Sequence, residues 1–364
     1  MSKDPAGALL RLDKINRTGA ITRAEILQQP LLWETTLERV RQFDRREFEE
    51  LPVVITGAGT SAHAAAAIAS AWPGARAIAT TSLLTDHEGY FEAGGILLSI
   101  ARSGDSPESV EVVRKIQKLY PSVRHFAITC NAKGKLATYP GVKVLKLDPR
   151  TNDSSLVMTS SFSNLVLAGL SFKHLPDLTA AFTTIAANAK HALPELEQKA
   201  KEIAANKCSR AVILASGPLI GAAREASLKI LEMTAGQIAV LSDTYLGLRH
   251  GPMAFLRKET LVLCFISSAS EVRRYELDLL EELHAKRLGQ VIAISPSLVD
   301  FALIEHQIPA IAPNLPDRLR TPFEIIFPQL LGLHLSLDIG LDPDSPSPDG
   351  VINRVVQGVK LYED

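Results

Sequence analysis

The chain has 364 residues, of which 46% are hydrophobic and 22% charged, and its formal net charge is −1. Such a length favours two domains of ordinary globular composition. A net charge near zero gives no electrostatic reason to expect nucleic acid or an anionic membrane as a partner. No apolar run approaches the roughly 18 residues of a membrane span, and the N-terminal sequence lacks a signal-peptide core. Three widely spaced cysteines are typical of buried thiols in a reducing compartment, so we expect a cytoplasmic protein.

Short apolar runs alternate with amphipathic stretches along the first half of the chain. Helices are predicted over residues 22–48, interrupted by Pro30, and a long helical region over about residues 159–204, interrupted near Pro176 and Pro194. Alternation of this kind is typical of an α/β fold with a parallel sheet. The predicted strands are Val53–Thr56, Ala77–Thr81, Ile96–Ile100, His125–Cys130 and Val142–Leu147.

The strand pattern then begins again in the second half. Ala211–Gly217 resembles Val53–Gly59, and the runs Leu261–Ile266 and Val291–Ser295 follow at nearly the same spacing as in the first half. Three such correspondences predict two structural repeats. The predicted organisation is an N-terminal helical arm over residues 1–50, α/β domains over residues 51–200 and 201–340, and a C-terminal arm over residues 341–364. In that arm, residues 341–349 are expected to be irregular and to wrap onto the rest of the protein.

The segment IARSGDSPES, residues 100–109, places a hydroxyl- and glycine-rich turn between a buried strand and a helix. Backbone amides of the turn and of the first helical turn form a natural anion cradle. Ser103 and Ser106 add hydroxyl donors, Gly104 allows close approach of a ligand, and Pro107 suits the first helical position. The pattern predicts a site for a phosphate ester, and a plain capped turn is the alternative.

The segment GAGTSA, residues 57–62, fits the glycine pattern of dinucleotide-binding turns. That interpretation needs an acidic residue at the end of the second strand, and the nearest one, Asp86, comes too late. A nicotinamide or flavin cofactor is therefore disfavoured. The better interpretation is a second phosphate-holding turn formed by Gly59, Thr60 and Ser61. Alternatively, both glycines only permit tight packing of strand and helix.

Charged residues occur in the second half where the first half carries hydroxyls. On a helix predicted over residues 220–234, Glu225, Lys229 and Glu232 share one face. Glu225 and Lys229 could form a simple surface ion pair. Glu232 lies between Leu231 and Met233 at the helix end, and a partly desolvated carboxylate there suits proton transfer between adjacent carbons.

His250 and a hydroxyl-rich segment are further candidates. His250 precedes Gly-Pro and is predicted on a turn, where an imidazole can reach a ligand or a second subunit, although a structural role is the default. Thr159 and Ser160 belong to a hydroxyl-rich segment that contributes either to the site or only to caps and turns.

Together these segments resemble the double-domain form of the sugar isomerase (SIS) domain family. GAGTS, ARSGDSPES, REASLKILE and RHGP occur in the family's order. QQPLLWETTLERV, ITCNAKGKLA, TNDSSLVMTSSF, LGLRHGPMAF and NRVVQGV are similar to its tagatose-6-phosphate ketose/aldose isomerase branch, whose members are similar to D-galactosamine-6-phosphate deaminases. The resemblance covers about residues 20–360.

The resemblance implies a flavodoxin-like fold in each domain and a homodimer with shared active sites. It implies that Ser61, Ser103 and Ser106 hold the phosphate, with Thr60 and Arg102 adjacent. Arg102 would add a cation that favours a dianion.

The isomerase half of glucosamine-6-phosphate synthase is a more distant relative. Against it, Glu232 falls on the proton-transfer glutamate and His250 on a ring-opening histidine from the neighbouring subunit. Lys229 and Glu225 fall on a supporting pair. This chain departs from that relative at Ala101 and Arg102, where the relative has serine and glutamine. The relative's C-terminal lysine falls on Gly358, so no role is assigned to Lys360.

The predicted function is an aldose–ketose isomerase or deaminase acting on a phosphorylated sugar or amino sugar. The leading reaction converts galactosamine 6-phosphate into tagatose 6-phosphate and ammonia, with Glu232 moving a proton from C2 to C1. No metal or redox cofactor is expected, because positioning and one carboxylate supply the chemistry. The alternatives are a non-catalytic phosphosugar sensor and another phosphosugar isomerase or deglycase.

Overall fold

A computed structural model describes residues 18–91, 93–299, 301–347 and 349–362 and shows an α/β protein with two parallel five-stranded sheets. Short 3-10 turns connect several elements. They are Arg46–Glu49, Leu136–Thr138, Pro149–Thr151, Gly217–Leu219, Pro252–Phe255 and Phe301–Leu303.

Two helices precede the first sheet, α1 (Ala20–Leu27) and α2 (Gln29–Gln42). Pro30 lies in the first turn of α2, where its missing N–H is not needed for the helix ladder. The prediction that Pro30 interrupts the helical region is confirmed. Trp33 on α2 is fully buried and contacts Phe323 edge-on.

The first sheet has the strand order β2-β1-β3-β4-β5. β3 is buried along its whole length, which explains why its sequence is apolar apart from Ser99. The predicted second strand is wrong beyond Ala77, because the chain enters a helix at Thr80. The elements are β1 (Val53–Thr56), α3 (Thr60–Ser70), β2 (Arg76–Ala77), α4 (Thr80–Thr85), β3 (Gly95–Ala101), α5 (Pro107–Leu119), β4 (Val123–Thr129) and β5 (Val142–Lys146).

A 45-residue helical segment, α6 (Ser160–Ala204), connects the two sheets. Its backbone leaves helical geometry at His174, with φ −118° and ψ 25°, two residues before Pro176. The interruption predicted there is confirmed. The interruption predicted near Pro194 is wrong, because helical backbone continues through that residue. A proline inside a helix removes one hydrogen bond, and packing of α6 against neighbouring helices offsets this loss.

The second sheet has the order β10-β9-β8-β6-β7, which is the order of the first sheet once each strand is replaced by its counterpart. The two predicted repeats are therefore confirmed, although β7 and β10 were not predicted. The elements are β6 (Arg210–Leu214), α7 (Ile220–Met233), β7 (Ala239–Asp243), α8 (Tyr245–Leu248), β8 (Leu261–Phe265), α9 (Ser270–Ala285), β9 (Gln290–Ser295), β10 (His306–Pro309), α10 (Asp317–Glu324) and α11 (Ile326–Asp338).

The two repeats meet through α3 and α7. Gly221 on α7 lies so close to α3 that an added Cβ would be 3.1 Å from the Cβ of Ala67. This close approach brings the first turn of α3 beside the charged face of α7. Among the described residues, no helix combines the length and the apolarity needed to cross a membrane.

The C-terminal arm contains no helix or strand in residues 341–347 and 349–362. The Asp344 carboxylate accepts hydrogen bonds from the amides of Ile21 and Thr22, and the Leu156 amide donates to the Asp344 carbonyl. Residues 341–347 are thus irregular, and Asp344 joins α1 to the loop before α6.

Candidate active site

A cavity of about 380 Å³ lies at the carboxyl ends of β1 and β3. In sheets of this strand order, that is the point where the chain switches direction across the sheet, and ligands bind there in open α/β folds. Both hydroxyl-rich turns predicted from the sequence reach this cavity. Its lining comprises residues 58–61, residues 100–104, Ser106, Ser109, Leu156, Met158, Glu232 and residues 351–357.

In the turn after β1, the two glycines have different roles. A Cβ on Gly57 would lie 2.4 Å from the carbonyl oxygen of Ser61, so Gly57 permits close packing of strand and helix. Gly59 has φ +56°, and a Cβ there would meet no atom within 4 Å. Gly59 therefore leaves the backbone open to the cavity at the N-terminus of α3. Thr60 and Ser61 form the first helical turn beside it.

The turn after β3 presents Ser103, Gly104 and Ser106 to the same cavity. The Ser103 hydroxyl accepts a hydrogen bond from the Asp105 amide at 3.2 Å, which leaves its own proton available for a ligand. The Ser106 hydroxyl donates to the Glu108 carboxylate at 2.6 Å. Gly104 has φ +67°, a conformation that favours glycine. The structure therefore brings the three predicted serines, including Ser61, to one cavity.

A buried group of charges joins α3 to α7. Lys229 Nζ lies 2.5 Å from Glu232 Oε2, 3.4 Å from Glu225 Oε1 and 3.0 Å from Thr60 Oγ1. His63 Nδ1 lies 3.0 Å from Glu225 Oε2. The side chains of Glu225 and Lys229 are fully buried, so the alternative of a surface ion pair is wrong.

Lys229 is the centre of this group. Burial alone would lower the pKa of Lys229, but the Glu225 and Glu232 carboxylates outweigh burial and hold that pKa above its ordinary value. The ammonium therefore stays charged and keeps both carboxylates in place. The Glu232 side chain is 23% exposed and lines the cavity, so a ligand can reach it.

Arg102 lies on the cavity wall with its guanidinium directed to backbone carbonyls. Its Nη1 donates to the carbonyl of Leu156 at 2.9 Å and of Ser155 at 3.3 Å, and its Nη2 donates to the carbonyl of Arg354 at 2.7 Å. Burial, and then the neighbouring Arg354 guanidinium, lower the pKa of Arg102.

Thr159 and Ser160 lie at the start of α6 and do not belong to the cavity lining described above. The Asp153 carboxylate accepts hydrogen bonds from the amides of Thr159, at 2.7 Å, and Ser160, at 3.2 Å, and also from the Ser160 hydroxyl. These contacts satisfy free amides at the helix N-terminus. The geometry favours the cap over direct contact with a ligand.

His250 lies on the turn after α8, as predicted, and it is exposed. Its amide donates to the carbonyl of Gly247 at 2.9 Å. It does not line the cavity of its own chain.

Two residues at the candidate site, Arg354 and His63, were not predicted from the sequence. Arg354 belongs to the segment NRVVQGV, which the resemblance includes without a role, and the arm that carries it lines the cavity. His63 lies one helical turn after Thr60 on α3, and this spacing could have placed it on the same helix face. Within the described ranges, no group of three or more His, Cys, Asp or Glu residues is placed to hold a metal ion.

Comparison with known proteins gives one curated relative and two solved structures of particular interest. No protein-family model matches the chain. It is 34% identical to the D-galactosamine-6-phosphate deaminase AgaS of Shewanella sp. (strain ANA-3), over 99% of this chain and 96% of the relative. It is 31% identical to the solved tagatose-6-phosphate ketose/aldose isomerase from Escherichia coli, with a TM-score of 0.82 over 94% of this chain and 96% of that one.

A more distant structure shows the fold alone. The C-terminal domain of glucosamine-fructose-6-phosphate aminotransferase from Francisella tularensis is 19% identical, with a TM-score of 0.74 over 88% of this chain and 96% of that one. The tandem α/β arrangement is therefore shared with proteins that are less similar in sequence than the two relatives above.

Proposed function

The chain belongs to the family of D-galactosamine-6-phosphate deaminases, and we propose that it converts galactosamine 6-phosphate into tagatose 6-phosphate and ammonia. One observation carries this proposal: a reachable carboxylate, Glu232, shares a cavity with the turn serines Ser61, Ser103 and Ser106. A cavity of about 380 Å³ suits a small ligand with one anionic end.

In the proposed mechanism the first repeat holds the phosphate. The hydroxyls of Ser61 and Ser103 and the amides at the N-termini of α3 and α5 donate hydrogen bonds to its oxygens, and the Ser106 hydroxyl joins them when it turns away from Glu108. Both helix dipoles favour the negative charge. Anchoring the far end of the sugar fixes its C1 and C2 beside Glu232. Positioning of this kind supplies much of the rate enhancement in reactions that require no strong electrophile.

Glu232 then acts as the acid–base group on the opened sugar. Its carboxylate takes the proton from C2 while O1 gains a proton, which gives an enolamine. It then returns the proton to C1 while the nitrogen loses one, which gives a hydroxyl at C1 and a ketimine at C2. Water adds to the ketimine, ammonia leaves, and a ketose phosphate remains. Lys229 Nζ holds Glu232 Oε2 at 2.5 Å, so Oε1 is the oxygen that serves the substrate.

We further propose that ring opening is assisted by His250 from a second copy of the chain. His250 is exposed and does not line its own cavity, which supports a homodimer with shared sites. Each subunit of this dimer would consist of the proposed domains 51–200 and 201–340 and the arms 1–50 and 341–364. Three free cysteines support a reducing, cytoplasmic location for the reaction.

The test is the release of ammonia and ketose phosphate from galactosamine 6-phosphate, with glucosamine 6-phosphate measured beside it. We expect both products from the galacto epimer, and we expect Glu232→Gln to lower turnover by a factor on the order of 10² or more. Glu259→Gln, which changes an exposed carboxylate of the same repeat, is the matched control. Binding of phosphosugars without any turnover would favour the sensor alternative, and turnover of 2-hydroxy sugars alone would favour simple isomerisation.

A further inference from the structure

The C-terminal arm forms one wall of the active-site cavity although it has no regular secondary structure. Residues 351–357 all line the cavity, together with the two serine turns. Val351 is 81% exposed and Val356 52% exposed, so apolar burial contributes little to holding the arm in place. Specific polar contacts must position it.

Arg354 ties the arm to the loop that precedes α6. Its Nε donates to the Asp153 carbonyl at 2.8 Å, and its Nη2 donates to the same carbonyl at 2.6 Å and to Asn152 Oδ1 at 2.7 Å. A guanidinium can make several such bonds at once because its donors form a rigid planar fork.

Arg102 ties the same loop to the arm from the other side. It donates to the carbonyls of Ser155 and Leu156 in the loop and to the Arg354 carbonyl in the arm. Three of its five donor hydrogens are thereby engaged by carbonyl oxygens. Ala101, the residue before it, ends β3, so this contact links the arm to the central strand of the first sheet.

The loop between these two arginines is itself firmly held. The Asp153 carboxylate caps α6 through the amides of Thr159, Ser160 and Ser161. The Glu25 carboxylate on α1 accepts hydrogen bonds from the Ser155 amide and hydroxyl. The carbonyls of this loop therefore form a rigid support for both guanidinium groups.

We propose that Arg102 and Arg354 are positioning residues that hold the C-terminal arm as a wall of the cavity. Arg102 then affects substrate affinity through the arm, while the serine turns and helix amides bind the phosphate. The part of this inference that concerns the substrate rests on the proposed function. The part that concerns the arm does not.

The experiment measures arm release and phosphosugar kinetics in the same full-length variants. Thermolysin cleaves before bulky apolar residues, so cleavage before Val355 or Val356, followed by mass spectrometry, reports release of the arm. The variants are Arg102→Ala, Arg354→Ala, the double variant and Arg102→Lys. The control is Arg150→Ala, which removes an exposed guanidinium that is paired with Asp148 in the neighbouring turn. A thermal midpoint for each variant confirms that the protein is folded.

We expect Arg102→Ala and Arg354→Ala each to speed arm cleavage and to raise KM for galactosamine 6-phosphate about tenfold or more, with a smaller effect on kcat. In the double variant, KM and the rate of arm cleavage should each exceed those of the more affected single variant by no more than about twofold, because both residues hold the same segment. Arg102→Lys should show the same rise in KM and in arm cleavage as Arg102→Ala, since one ammonium cannot bridge the loop and the arm. Arg150→Ala should behave like the unmodified protein.

Other results would overturn the inference. If Arg102→Ala raised KM with unchanged arm cleavage, if Arg102→Lys restored KM, or if the two alanine effects multiplied, Arg102 would act on the phosphate directly. If the unmodified protein showed no turnover, the proposed function would fail, and arm cleavage would still decide the role of the two arginines.

Discussion

His125 should make the protein sensitive to mild acid. It lies on β4 between Leu97 of β3 and Val142 of β5 and is only 4% exposed. Neither of its ring nitrogens has a hydrogen-bond partner. Burial lowers the pKa of His125 from 6.5 to about 4, because a charged imidazole there would lose its hydration without gaining a partner.

The size of the effect follows from this pKa difference. As the pH falls below about 6.5, His125 takes up a proton in the unfolded chain but remains neutral in the folded protein. The free energy of unfolding therefore falls by roughly 1.4 kcal/mol per pH unit as the pH decreases. The total loss reaches about 3 kcal/mol near pH 4. At pH 5 the loss attributable to His125 is about 2 kcal/mol.

The assay compares urea unfolding of the natural protein and of His125→Leu at pH 7.5 and pH 5. The leucine variant should lose about 2 kcal/mol less stability between these two pH values, whatever its absolute stability. Burial also lowers the pKa of His306 and of His334, and both remain in each protein, so the comparison isolates His125. His191→Gln, at an exposed position on α6, is the control. An equal loss in His125→Leu and the natural protein would refute the reasoning.

Three further predictions concern the candidate site. Ser103→Ala should raise KM for galactosamine 6-phosphate about tenfold while kcat changes little, since one donor to the phosphate is lost; unchanged affinity in a kinetic titration would remove Ser103 from the cradle. His63→Ala should lower kcat several-fold at constant KM by removing one of the groups that hold Glu225, and His63→Asn should restore kcat by keeping a donor at that place. Equal kcat in both His63 variants would exclude such a role. Gly59→Ala should destabilise the protein by about 1–2 kcal/mol in chemical denaturation because of its positive φ, whereas a neutral effect would mean that the turn relaxes.

The sequence predicted the interior strands well and three of the four edge strands poorly, whereas the edge strand β5 was predicted to within one residue. β1 and β8 match the predicted runs closely, because a strand covered on both faces is apolar along almost its whole length. β7 and β10 are edge strands of the second sheet, and their residues are mostly half-buried or exposed. Their sequences therefore carry polar residues, and in β10 a proline, and resemble loops. β2 has only two residues, too few for any periodic signal.

The same distinction applies to the site. The two serine turns and the Glu225–Lys229–Glu232 face were predictable because each is encoded within a few consecutive residues. The partners of Arg102 were not, since one lies 53 residues away and another 252 residues away in the chain. A cationic residue beside a phosphate turn suggests a phosphate ligand, and only the folded arrangement shows the carbonyls that its guanidinium reaches.

The two repeats share one topology but differ at the point where each could bind an anion. In the second sheet the turn after β8 donates the Ser268 amide and hydroxyl, each at 2.8 Å, to the Asp317 carboxylate. The Glu276 carboxylate accepts the Ser267 amide at 2.8 Å. Carboxylates of the chain thus use the donors that an external anion would need, and they would repel such an anion. In the corresponding turn of the first sheet the Ser106 hydroxyl also donates to a carboxylate, that of Glu108, but the Ser103 hydroxyl proton and Gly104 remain open to the cavity. The proposed anion cradle therefore lies in the first repeat, and the second repeat contributes the α7 face that carries the candidate acid–base carboxylate.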